Sequence, residues 1–377
     1  MTPRFLQIHT LHSYTAALLN RDDTGLAKRL PYGDAFRTRI SSQCLKRHWR
    51  TADKDPYSLH DINGAELAYR SRELVTELVI KPLKGRYADD IIGALEPEFQ
   101  KAVYGEKADK GKKKRQTLLL GAPETKWLAS EAERLAARTD DAAAAKAAAT
   151  EWAKKFKNNI KVLREGCALP GGLTAALFGR MVTSDPAANI EAPLHVAHAF
   201  TVHAEETEGD YFTAVDDLKK GEDDSGADTI QETELTSGLF YGYVVIDLPS
   251  LVTNCSRDRE LVARVVHNIV HLIAEVSPGA KLGSTAPYGR AQLMLLEAGD
   301  RQPRSLAAAY QRPVAHNLDK AVAALDAHLV KLDEIYETGE SRRYLSMSDT
   351  ALTGVERISL KALAEWAASH VKDAPDA

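Results

Sequence analysis

The sequence predicts an α+β fold, and three features of its 377 residues carry that expectation. Short apolar runs at 4–11, 194–203, 238–247 and 292–297 have the length and composition of β-strands, while residues 43–50 and 257–276 repeat with the period of helices. Residues 56–168 read as one helix after another. Outside that block the signals run β-α-β-β-α-β, which is the ferredoxin-like order also used by RNA-recognition domains, with the helical block inserted after the first helix.

Each element has a local reason. Phe5, Ile8 and Leu11 fall at nearly alternate positions and suit a half-buried first strand. Between 20 and 39 the chain is polar and carries Gly25, Pro31 and Gly33, which predicts an irregular loop with most of its basic groups facing solvent. Ser41 or Ser42 then offers a hydroxyl oxygen to the unpaired amides of a first helical turn, so a short helix follows. Within the insertion, helices are expected at 65–81, 89–104 and over the alanine-rich stretch 125–163. The run Lys110-Gly111-Lys112-Lys113-Lys114-Arg115 lies between two of them as a solvated loop able to touch nucleic acid.

After Pro170-Gly171-Gly172 strand character returns at 194–203, gives way to an acid-rich extension, and resumes at 238–247. Ser256 caps the amphipathic helix 257–276, and 292–297 supplies the last strand. The expected organisation is therefore a core begun by 1–55, interrupted by the helical insertion 56–168, and resumed at 169–201. An extension at 202–237 follows, then the rest of the core and C-terminal helices at 238–377.

Composition narrows the function. With 44% hydrophobic and 27% charged residues the chain can bury a substantial core. No run approaches the ~18 apolar residues of a membrane helix, and the N-terminus alternates where a signal peptide would be continuously apolar, so a cytoplasmic protein without a membrane partner is expected. Cys44, Cys167 and Cys255 are too few and scattered for a disulfide framework or a four-ligand zinc site. The net charge of −4 conceals a segregation: residues 1–50 hold nine Lys or Arg against three acids, a surplus of +6, leaving −10 for the rest.

On the short helix, Gln43, Lys46, Arg47 and Arg50 fall at i, i+3, i+4 and i+7 and form one stripe of donors, with Cys44, Leu45, His48 and Trp49 on another side. An ordinary solvated face mixes both signs; no acid interrupts this one, which favours phosphate binding through counterion release. His267 and His271 are four apart but lack the glutamate of the zinc-protease pattern, and His195, His198 and His203 have no second ligand cluster, so no metal or other cofactor is assigned. The phosphate-loop and G-x-S-x-G patterns are missing from the sequence, and no catalytic residue is assigned. Tyr211, Phe212 and Thr213 place aromatic surface in an acidic extension, suited either to a base or partner or to a small local core.

Five stretches, taken together and in order, carry a resemblance: Asn20-Arg21-Asp22-Asp23, Arg39-Ile40-Ser41-Ser42-Gln43-Cys44-Leu45-Lys46-Arg47, Gly179-Arg180-Met181-Val182-Thr183-Ser184, the run from Tyr211 to Leu218, and Pro278-Gly279-Ala280-Lys281. The sequence resembles the CasC family, the Cascade backbone subunits of type I-E CRISPR systems, from residue 4 to about residue 300. The resemblance implies an RNA-recognition-like palm, helical fingers and a β-hairpin thumb that reaches the next copy. It further implies contacts to the backbone of a guide crRNA from Arg21, Lys28, Ser41, Gln43, Lys46, Arg47 and Arg50, a finger-side contact from Met181, and a thumb wedge from Phe212 and Thr213. Tyr211 stands where a tryptophan is common in that family.

The implied partners are the guide, target DNA paired to it, further copies of the chain, and the large, small and guide-end-capping Cascade subunits. Such a filament must accept any guide, so holding phosphates and riboses while base pairing reads sequence is the fitting chemistry. The alternative from another class is a metal-dependent ribonuclease using Asp22 and Asp23, because related CRISPR backbone proteins of another type cut RNA with an acidic loop residue. An ordinary monomeric RNA-binding domain is a third possibility, at odds with the acidic remainder of the chain.

Overall fold

The structure, a computed structural model, describes residues 3–167, 169–182, 185–213 and 230–375. In chain order the elements are β1 (Phe5–Ala17), β2 (Arg29–Tyr32), β3 (Ala35–Ile40), α1 (Ser42–Arg50), β4 (Ala68–Ser71), α2 (Asp89–Tyr104), β5 (Leu118–Gly121), α3 (Ala122–Ala136), α4 (Ala142–Gly166) and α5 (Gly172–Phe178). Then come β6 (Leu194–Val196), β7 (Ala199–Thr201), β8 (Thr207–Thr213), β9 (Ile230–Asp247), α6 (Leu248–Asn254), α7 (Arg259–Glu275), α8 (Leu282–Thr285), β10 (Ala291–Gly299), α9 (Leu318–Tyr336), β11 (Ser341–Ser346), β12 (Glu356–Arg357) and α10 (Leu360–Asp373). The fold is α+β, and no helix is long and apolar enough to cross a membrane among the described residues.

The described residues divide into two compact units, one drawn from 1–58, 195–246 and 266–375, the other from 59–194 and 247–265. The first is built on a sheet ordered β12-β11-β10-β1-β9-β7-β3-β2, with β6 and β8 also paired to β9. Its inner strands β10-β1-β9-β7 have the 4-1-3-2 order of a β-α-β-β-α-β domain. β1 and β10 run antiparallel from Phe5 opposite Gly299 to Leu11 opposite Leu293, with a register shift at Leu11/His12.

Alternation along the strands sends successive side chains to opposite faces. Phe240 joins Tyr14, Ala17 and Ile40 on the face that receives Cys44 and Leu45 of α1. Its neighbour Tyr241 joins Leu11, Leu293 and Leu295 on the other, beneath Leu325 and Leu329 of α9. RNA-recognition domains stack bases on a bare sheet face. Here the C-terminal elements occupy it, so the sheet itself offers no such platform.

The same covered face holds an ion cluster. Glu297 is fully buried and accepts from Arg304 at 2.8 and 2.9 Å, from Arg342 at 2.6 Å and from His9 Nε2 at 3.1 Å. Tyr241 completes it, its hydroxyl 2.9 Å from His9 Nδ1 and accepting from the amide of Leu306 at 3.0 Å.

The expectation of an irregular loop at 20–39 is corrected. Residues 29–40 form a β-hairpin, with Arg29 opposite Thr38 and Tyr32 opposite Ala35. Pro31 is tolerated because β2 is the edge strand, and Gly33 makes the turn at φ +59°, where a Cβ would collide with the carbonyl of Gln311. Arg37 does not face solvent: it is fully buried and donates to the carbonyls of Thr201 at 3.0 Å, His203 at 3.1 Å and Tyr310 at 2.9 Å.

β8 and β9 form the two arms of a hairpin, from Thr207 opposite Thr236 to Thr213 opposite Ile230. Residues 214–229 lie outside the described residues.

In the second unit α2, α3 and α4 enclose Leu95, Phe99, Leu128, Trp152, Phe156 and Ile160, with Phe99 and Trp152 stacked at 3.9 Å. Two helix expectations change here. Residues 65–81 contain the strand β4, paired with β5, followed by a π-helical turn at Val75–Ile80, and 125–163 is covered by two helices. Asp141 caps the second of these by accepting from the amide of Ala144 at 2.7 Å, a start signal that the surrounding alanines obscured.

Candidate nucleic-acid interface

α1 begins at an anchored cap. Ser41 Oγ accepts from the amide of Cys44 at 3.3 Å, and the amide of Ser41 donates to the side-chain oxygen of Asn20 at 2.9 Å, which ties the 20–28 loop to the start of the helix. Trp49 is buried, and Cys44 and Leu45 pack on the sheet. That docking turns Gln43 and Arg47 outward, with Lys46 and Arg50 half-buried beside them. Among the described residues Lys46 and Arg47 make no ion pair, and partial burial lowers the Lys46 pKa. Arg47 and Arg50 in the last turn also suit the negative end of the helix dipole.

The 20–28 loop closes on itself. Lys28 donates its amide to the Asn20 carbonyl at 3.0 Å, and Arg21 is exposed opposite Ala27. Burial pushes the Cys44 thiol pKa up, against the smaller opposing effect of the Lys28 and Arg47 charges. Arg21, Lys28, Ser41, Gln43, Lys46, Arg47 and Arg50 thus all belong to the first unit, on α1 and the loop tied to it. Met181 is exposed in the second unit. Phe212 and Thr213 sit in β8 opposite Gln231 and Ile230, with their side chains outside what is described; Tyr211 before them is exposed.

Asp22 is occupied within its own loop. One carboxylate oxygen accepts from the Thr24 hydroxyl at 2.7 Å and from the amides of Thr24 at 2.9 Å and Leu26 at 3.1 Å, and the Thr24 hydroxyl foremost holds its pKa below the ordinary carboxylate value. Asp23 is exposed, and neither belongs to a group of possible metal ligands among the described residues.

Several residues that spacing did not single out position this surface. Arg29 bridges Glu205 and Glu234 at the hairpin root, where the amide of Ala27 also donates to Glu234 at 2.7 Å. Lys281 reaches Thr233, and the amide of Ala280 donates to the Leu18 carbonyl at 2.8 Å, so the Pro278–Lys281 stretch lies at the same root. Arg39 donates to His198 at 2.9 Å. Arg39 and Lys281 fall in stretches that carry the resemblance, but the ion pairs of Arg29 left no local pattern, because Glu205 and Glu234 lie 176 and 205 positions away and meet it only on folding.

The histidines have separate fates. His203, Glu206 and His316 bring donor atoms within 4.8 Å of one another, the geometry of a small metal site. His203 is nevertheless committed at both ring nitrogens, with Nδ1 donating to the Ala204 carbonyl at 2.7 Å and Nε2 accepting from the amide of Leu239 at 3.1 Å, so the set does not fit a metal ion. His271 stacks on Tyr57 at 3.5 Å, and His198 and His195 are exposed. In the lysine run of the second unit, Lys112 pairs with Glu73, Arg115 donates to the Ala108 carbonyl, and Lys113 and Lys114 are exposed.

Among the solved structures that share this fold, two are similar over nearly their whole length. A chain of a "CRISPR RNA-guided surveillance complex, pre-nicking" superposes with a TM-score of 0.80 at 26% identity, covering 97% of this chain and 100% of that one. A chain of a "CRISPR RNA-guided surveillance complex" gives 0.60 at 21% identity, covering 97% and 98%, and speaks to the fold alone. No individually curated protein matches the sequence. The sequence model of the CT1975-like proteins matches residues 6–369, nearly the whole length, and the chain therefore belongs to that family of Cas proteins.

Proposed function

We propose that this protein is a CasC-type backbone subunit of a type I-E Cascade, binding guide crRNA and polymerising along it without cutting it. The observation that carries the reading is the full-length likeness, at 26% identity, to a chain of an RNA-guided surveillance complex. The local chemistry supports it: α1 presents Gln43, Lys46, Arg47 and Arg50 with no acid among them, and the tied loop adds Arg21 and Lys28. Such a surface holds phosphates of any sequence, gaining affinity as counterions leave, and leaves recognition of target DNA to the paired guide.

The hairpin of β8 and β9 is the proposed thumb, with Phe212 and Thr213 wedging between bases held by a neighbouring copy, and Met181 is the proposed finger-side contact. Further copies and the large, small and guide-end-capping subunits are the proposed partners. The nuclease alternative gains little from Asp22, whose carboxylate is already engaged by three donors of its own loop.

The test is co-purification. Expressed with its genomic neighbours, the protein should retain RNA whose sequences derive from CRISPR repeats and spacers. Retention of bulk cellular RNA without that enrichment would refute the guide-binding role.

A further inference from the structure

Arg39 and His198 lie beside the proposed interface and belong to none of the contacts assigned above. β3 pairs with β7 through Arg39 opposite Phe200 and Ile40 opposite Ala199, which brings the Arg39 side chain across to His198, just before β7. Arg39 Nη1 lies 2.9 Å from His198 Nδ1. A guanidinium has donors and no acceptor, so Nδ1 must accept; it carries no proton, and the proton of the neutral ring is on Nε2.

Arg39 is itself held at two further points, Nε donating to the Arg29 carbonyl at 3.2 Å and its amide to the Lys28 carbonyl at 2.7 Å. The ring is therefore oriented by a fixed neighbour. His198 is exposed, and Nε2 has no protein partner among the described residues. Lys28 connects this pair to α1: its carbonyl accepts from the Arg39 amide, its own amide donates to the Asn20 carbonyl at 3.0 Å, and the Asn20 side chain accepts from the amide of Ser41, the cap of α1.

We propose that His198, set in one neutral tautomer by Arg39, donates a hydrogen bond from Nε2 to an oxygen of the guide's sugar–phosphate backbone, extending the interface from α1 across the strand edge. The proposal rests on the guide-binding reading. Partial burial first, then Arg39 and Lys28, keep the ring's pKa below the usual histidine value, so near neutral pH it acts as a dipolar donor among cations. That gives it a signature the cations lack: a neutral contact adds affinity but releases no counterion.

The experiment is a filter-binding salt series with single-stranded RNA and the full chain, comparing the parent, His198→Ala, His198→Gln and the triple variant Lys46→Ala, Arg47→Ala, Arg50→Ala. His198→Ala should weaken binding about tenfold, the scale of a hydrogen bond to a charged group, with the salt slope unchanged. His198→Gln, which retains a neutral donor, should recover part of the loss. Nitrogen-resolved NMR of the free protein should show Nδ1 unprotonated and Nε2 protonated.

Unchanged affinity for His198→Ala alongside a weakened triple variant would overturn the His198 contact and leave the guide-binding reading standing. An unaffected triple variant would sink the reading itself. A salt slope reduced by His198→Ala would mean a charged ring and overturn the tautomer. Repeating the series on an all-2′-deoxy strand assigns the acceptor: a persistent loss supports a phosphate oxygen, a vanished one the 2′-hydroxyl.

Discussion

Glu297 shows how little of a buried charge can be read from its neighbours in sequence. It lies in the apolar run Leu293 to Ala298 and looks like an interruption of a strand; the structure supplies Arg304, Arg342 and His9, the last 288 positions away. Burial alone would raise its pKa, but the hydrogen bonds from His9 and Arg304 and the guanidinium charge of Arg304 outweigh that and hold the carboxyl well below the ordinary range. A depressed carboxyl pKa stabilises the fold above the unfolded value of 4.5 and loses that contribution as pH falls below it. His9, kept neutral by burial, adds to the same trend, because the unfolded chain gains a proton there as pH drops through 6.5. Glu297→Gln should cost about 3–5 kcal/mol in chemical unfolding at pH 7, since it strands buried guanidinium charge, and the variant should lose the parent's steep acid dependence below about pH 4.5. A parent-like midpoint would show the cluster to be nearly neutral in energy.

At the scale of elements, helices and strands with a clean period were legible and structure set by distant partners was not. α1 was readable because its cap, its apolar side and its cationic stripe are all within ten residues. The hairpin of β2 and β3 was hidden because Pro31 and Gly33 signal a loop, while the facts that allow a strand, an edge position and Arg37 caged by carbonyls of residues 201, 203 and 310, arise only on folding. β4 and the π-helical turn after it were hidden within a helix-like composition. If α1 binds phosphates, replacing Lys46, Arg47 and Arg50 together with alanine should weaken binding about equally for all RNA sequences and lower the magnitude of the log–log salt slope by roughly 2, at ~0.7 per phosphate contact. The thermal midpoint should stay near the parent's, because Trp49, Cys44 and Leu45 make the docking contacts. An unchanged slope would return the stripe to an ordinary solvated face.

For the molecule as a whole, the inner β-α-β-β-α-β order was visible in the sequence, but the closure of the sheet's second face was not. Leu325, Leu329 and Tyr310 belong to C-terminal segments whose patterns fit many folds, and only their packing on Leu11, Tyr241 and Leu295 shows that this face is covered, which leaves the strand edges, α1 and the hairpin for the proposed RNA contacts. A non-catalytic role carries its own expectation: with guide, complementary RNA or DNA, and Mg²⁺ or Mn²⁺, every strand should remain intact. Cleavage abolished by Asp22→Asn with Asp23→Asn would favour the nuclease alternative.

The central claim is that the protein multiplies along RNA, and native mass spectrometry of the purified chain with single-stranded RNAs of increasing length addresses it directly. Bound copies should increase in whole steps as the RNA lengthens, independently of its sequence, and the Lys46, Arg47, Arg50 triple variant should fail to load. One copy per RNA at every length, or the same assembly with and without RNA, would contradict the account.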